Sequence, residues 1–124
     1  MSTIDVATGG LRGILDSLMK IEGVTAALVV GRDGFIIEAA SEEGADLEAV
    51  GAIAAGSLSS AEAMGGELHM GPPTSLLIEY EGGPVAVSPA GPDGVLAVVG
   101  KQHANLGRLR IEMRRIRTAV ANQL

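Results

Sequence analysis

The chain has no cysteine and no tryptophan, and Phe35 and Tyr80 are its only aromatic residues. Without cysteine there can be no disulfide, no thiolate nucleophile and no cysteine-based metal site. With aromatics at 2% of 124 residues, binding by stacking on bases or sugars has almost nothing to work with. The core has to be assembled from Val, Ile, Leu, Ala and Met. No apolar run approaches the roughly 20 residues needed to cross a bilayer. The opening MSTIDVATGG lacks a basic segment followed by an apolar one, so it does not read as a signal peptide. These absences describe a soluble, cytoplasmic protein, and the length describes one domain over residues 1–124.

Charge is present but unevenly placed. Residues 1–100 carry three bases against 14 acids, net −11, and residues 101–124 carry six bases against Glu112 alone, net +5. An acidic body with a basic C-terminal segment argues against nucleic acid as a partner, because the body repels phosphate at long range.

Residues 46–68, DLEAVGAIAAGSLSSAEAMGGEL, are the centre of the pattern. They read as one long helix of small side chains, with Asp46 as N-cap and Glu48 in the first turn, where the helix dipole favours an anion. At helical spacing Leu47, Val50, Ala54, Leu58, Ala61 and Leu68 form an apolar stripe, widened by Ile53 and Met64. Gly51, Gly56 and the serines weaken an isolated helix, so it needs packing, on the sheet alone or on a second molecule as well.

Around this helix the other elements fall in order. Leu11, Ile14, Leu15, Leu18 and Ile21 make the apolar face of a first helix over residues 11–21, stopped by Gly23. Residues 24–30, VTAALVV, are apolar on both faces and read as an interior strand. Arg32-Asp33-Gly34 turns the chain into a second strand over 35–40. A polar loop, SEEGA, leads to the long helix, which ends near Gly65-Gly66 before the breaker at Gly71-Pro72-Pro73. Strands over 75–81, 84–88 and 95–99 are separated by Gly82-Gly83 and by residues 89–94, the spacing of an antiparallel meander. Asn105 caps a last helix with Leu106, Leu109, Met113, Ile116 and Val120 on one face. The expected fold is therefore α/β (α+β): a five-stranded antiparallel sheet flanked by three helices on both faces, in the order α-β-β-α-β-β-β-α.

No catalytic, cofactor or metal site emerges. His69 and His103 sit beside loops without partners at ligand spacing. Residues 94–102, GVLAVVGKQ, miss the spacing of a phosphate loop and form a good strand instead. Glu42 and Glu43 are adjacent loop acids, and Glu79 and Glu81 read as the exposed side of a strand. On the last helix Arg110, Arg114 and Arg117 share one side and Arg108, Glu112 and Arg115 another, a solvated face with an Arg108–Glu112 pair or a docking surface.

The pattern GVTAALVVGRDGFIIEAA, followed by the small-residue helix, LLIEYEGGPVAVSPAG, an apolar strand and a helix beginning NLGRLR, resembles the Roadblock and dynein light chain family from about Leu11 to Val120. The resemblance implies a profilin-like or longin-like sandwich that dimerises through its second helix and third strand, here residues 46–66 and 75–81. The interface residues it implies are Val50, Gly51, Ala54, Leu58, Ala61, Leu76, Ile78 and Tyr80. An open edge strand such as SLLIEYE would also be an aggregation risk if left unpaired. Members of the family, among them the bacterial gliding-motility GTPase-activating protein, bind or regulate small Ras-like GTPases, or serve as light chains and scaffolds. The partner face implied for this chain is Glu48, Ala52, Ala55, Ser59 and Glu62. The resemblance carries over no catalytic residue. Three functions remain in order: a homodimeric regulator of a small Ras-like GTPase, a non-catalytic dimeric scaffold or light-chain-type adaptor, and a small-ligand sensor.

Overall fold

The computed structural model describes residues 9–42 and 46–124; the expected absence of a leader over residues 1–8 and most of the SEEGA loop, with Glu43, lie outside the described residues. The elements are α1 (Gly10–Met19), β1 (Val24–Gly31), β2 (Ile36–Ser41), α2 (Leu47–Glu67), β3 (Leu76–Tyr80), β4 (Gly83–Ala90), β5 (Gly94–Gly100) and α3 (Leu106–Asn122). This is the expected order. The five strands form one antiparallel sheet ordered β2-β1-β5-β4-β3, with both apolar strands, β1 and β5, inside.

Local signals account for the boundaries. The Asp46 side chain accepts a hydrogen bond from the Ala49 N–H at 3.4 Å, and Asn105 accepts one from the Arg108 N–H at 3.0 Å, so each helix start has a capped donor. The β1–β2 turn closes through Gly34 N–H to Gly31 C=O at 2.9 Å, and Asp33 accepts from the Phe35 N–H at 3.1 Å. Gly34 has φ +90, which a side chain would resist.

The two faces of the sheet are covered differently. On one, α1 and α3 contribute Ile14, Leu15, Leu18, Leu109, Met113 and Ile116 to a core with Ala27, Val29, Leu96 and Val98. On the other, α2 lies alone over Leu28, Val30, Val87, Val95 and Ala97. Its buried residues are Gly51, Ala54, Ala55 and Leu58, so Leu58 is the one large side chain it anchors. A Cβ on Gly51 would come within 2.8 Å of Val30 Cγ1, and that absence of bulk lets the helix settle close to the sheet.

Leu58 is fully buried among Leu28, Val30 and Val87, and its loss leaves a cavity. We expect Leu58→Ala to lower the unfolding free energy by about 2–5 kcal/mol in urea denaturation at fixed protein concentration. A loss under about 1 kcal/mol would show that α2 is not seated as described.

Candidate functional site

The outer face of α2 and the edge strand β3 both expose apolar side chains. Leu77 and Tyr80 on β3 are exposed, and β3 pairs with β4 alone, leaving its outer edge open. On α2, Ile53, Gly56, Ser60 and Met64 recur at helical spacing on the side away from the sheet. Ile53 is 68% exposed and Met64 61%. A Cβ added to Gly56 would meet nothing within 4 Å, so no contact inside this chain accounts for the missing side chain.

This geometry corrects several expectations. Gly51, Ala54 and Leu58 are buried against the chain's own sheet, so they cannot also line a surface between molecules. Ala55 is 3% exposed and is part of that core, not of a partner-facing side. Ile53 and Met64 do not widen the core stripe; they point outward, as does Leu68. The rest of the expected stripe faces the sheet: Ala54 and Leu58 are buried, and Leu47, Val50 and Ala61 are half-buried. The buried face consists of Gly51, Ala54 and Ala55 beside Leu58. Of the other expected interface residues, Val50, Ala61, Leu76 and Ile78 are half-buried and Tyr80 is exposed.

Of the expected partner contacts, Glu48, Ala52 and Ser59 are exposed. Glu62 is half-buried and accepts from Arg32 Nη1 at 2.7 Å, an ion pair that ties α2 to the β1–β2 turn. Gly34 of that turn lies against Ala52, whose Cα would be 3.2 Å from an added Cβ. The exposed side of α2 thus borders the turn.

Elsewhere the structure places the chemistry-bearing residues apart. His69 and His103 are exposed, and among the described residues no group of three or more His, Asp or Glu could hold a metal ion. Residues 94–100 are strand β5. Glu112 pairs with Arg115 at 3.8 Å, not with Arg108. A glutamate N-terminal to its base on a helix is the favoured orientation, and Glu112–Arg115 has it. No helix among the described residues is long and apolar enough to cross a membrane.

Residues 12–100 match the Roadblock/LC7 domain. The chain belongs to that family. The uncharacterized protein MJ0310 of Methanocaldococcus jannaschii is 37% identical over 102 residues, 82% of this chain and 89% of that protein. Among solved structures, MglB with tetrameric arrangement superposes with a TM-score of 0.84 at 20% identity, over 90% of this chain and 85% of that one. The gliding protein MglB from Thermus thermophilus gives 0.83 at 21% identity, over 90% and 86%. At such identities the likeness is one of fold: five antiparallel strands and three helices in the same order. The Roadblock/LC7 domain is generally a non-catalytic adaptor domain.

The two sides of α2 predict opposite responses to the same substitution at neighbouring positions. We expect Ala54→Glu to abolish cooperative thermal unfolding by circular dichroism, because a carboxylate would be buried without a partner. Ile53→Glu should leave the folded spectrum intact and shift stability by no more than about 0.5 kcal/mol in the isolated protomer.

Proposed function

We propose that the protein is a cytoplasmic homodimeric regulator of a small Ras-like GTPase, acting by protein–protein contact without an active site of its own. The observation that carries this is the outer face of α2. Gly56 has no neighbour to accommodate, yet glycine in an exposed helix interior costs up to about 1 kcal/mol relative to alanine. Close approach by the backbone of another molecule gives that glycine a purpose. Ile53 and Met64 flank it with apolar surface, and β3 has an unpaired edge.

A two-fold contact satisfies both features at once. The β3 edges of two protomers pair, continuing the sheet, while the α2 helices pack across the axis through Ile53, Gly56, Ser60 and Met64. Val50, Ala61, Leu76, Ile78 and Tyr80 lie at the margin of this contact. Such an interface is isologous, each copy presenting the same patch. The similarity to MglB, one structure of which is described as a tetrameric arrangement, supports self-association in this fold. The GTPase contacts the exposed side of α2 that borders the β1–β2 turn, where Glu48, Ala52 and Ser59 are accessible.

The test is GTP turnover by small Ras-like GTPases of the same genome, with and without the protein, alongside sedimentation of the Gly56→Arg variant. We expect a changed hydrolysis rate with the parent protein. Gly56→Arg should raise the dimer dissociation constant at least tenfold, about 1.4 kcal/mol, and abolish the effect on turnover while the protomer stays folded. A stable complex with unchanged turnover would make the protein a scaffold. If no complex forms with any of them, the proposal fails.

A further inference from the structure

On the opposite face of the sheet from α2, the arginines of α3 stand over a feature that the GTPase proposal does not use. Arg110, Arg114 and Arg117 line a pocket of about 30 Å³ between α3 and the β3–β4 edge, with Ser75, Leu77 and Ser88 among its other walls. Ser88 is 2% exposed, and its enclosed hydroxyl has no hydrogen-bond partner among the described residues. Leaving a hydroxyl buried and unsatisfied costs about 1–3 kcal/mol, so a polar group that reached it would be favoured. Arg117 Nη1 donates to the Thr74 carbonyl at 3.3 Å, which holds that guanidinium at the pocket. Among the described residues, Arg110, Arg114 and Arg117 have no carboxylate within ion-pair distance.

We propose that this groove is a docking site for an acidic segment of a partner protein, one carboxylate of which enters the pocket between the three arginines and Ser88. Three observations select that occupant. A pocket of about 30 Å³ exceeds the 10–15 Å³ that one water requires, so it has room for a small polar group. Guanidinium forks match a carboxylate in geometry as well as in charge. Beyond Arg110 and Arg114 the surface opens into a shallower groove of about 530 Å³ with Ile111, which is 57% exposed, so the segment has apolar residues beside its acids. A long polyanion is disfavoured, because residues 1–100 carry net −11.

The experiment selects peptides from a random 12-residue phage-displayed library on the full-length protein, then measures synthetic copies by fluorescence anisotropy. Selected sequences should combine Asp or Glu with Leu, Ile or Val. Their affinity should fall at least tenfold in the Arg110→Glu/Arg114→Glu protein, while its thermal midpoint stays within a few degrees of the parent. Ser88→Ala should weaken the same peptides several-fold while leaving the thermal midpoint unchanged or higher, a split that a purely structural serine would not produce. Selection that yields no peptide dependent on Arg110 and Arg114 overturns the proposal. So does displacement by millimolar inorganic phosphate at matched ionic strength, which would mark a phosphate site. Equal binding to Ser88→Ala would overturn the insertion of the carboxylate.

Discussion

The β1–β5 pair has to be kept dry on both faces. Val24 and residues 26–30 of β1 and residues 94–98 of β5 are buried, and the two strands lie side by side through the middle of the sheet. Apolar surface there contributes roughly 25 cal/mol for each Å² removed from water, on each face separately. The chain meets this requirement asymmetrically. Two helices rich in Leu, Ile and Met cover one side, and a single helix of Gly, Ala and Ser covers the other. One helix suffices on the second side because it can come close, and it comes close because Gly51, Ala54 and Ala55 put at most a methyl group between the backbone and the sheet.

The consequence for α2 is an unusual division of labour, and it explains what was legible in the sequence. Element order, the β1–β2 hairpin, the meander and both helix caps follow from local patterns: alternation, Asp-Gly, Asn and Asp before helical runs. They survive because each is fixed within a few residues. The facing of α2 is not local. When apolar residues lie all around a helix, periodicity in hydrophobicity no longer identifies the buried side by itself. Ile53 and Met64 stand outside, and Leu58 is the one large residue of α2 that is fully buried against the sheet. Packing against the sheet takes Gly51, Ala54, Leu58 and Ala55 away from the surfaces to which the family resemblance assigned them.

Site features that depend on tertiary contact were less legible still. No pattern pairs Arg32 with Glu62, thirty residues apart, although that contact fixes the β1–β2 turn against α2. Ser88 looks ordinary in PVAVSPA. Its position opposite Leu96, on the face that α3 covers, is what buries it. The arginines of α3 were visible as a charged stripe, but whether a stripe is merely solvated depends on what lies beneath it. Here the neighbours are the end of β3 and the buried hydroxyl of β4.

Strand β3 belongs to both surfaces. Leu76 packs on the α2 side, and Leu77, paired with Ala86, lies on the α3 side beside Arg110 and Arg114. Alternation along a strand makes this unavoidable, since successive side chains take opposite faces. An edge strand paired to a second copy is held more rigidly than a free one, and both of its faces gain from that restraint. Pairing at the β3 edge would therefore pre-order the wall of the arginine groove as well as the apolar margin of α2. Coupling of this kind is reciprocal, so an acidic segment that favours an ordered β3 would favour the paired state of the protein by the same free energy.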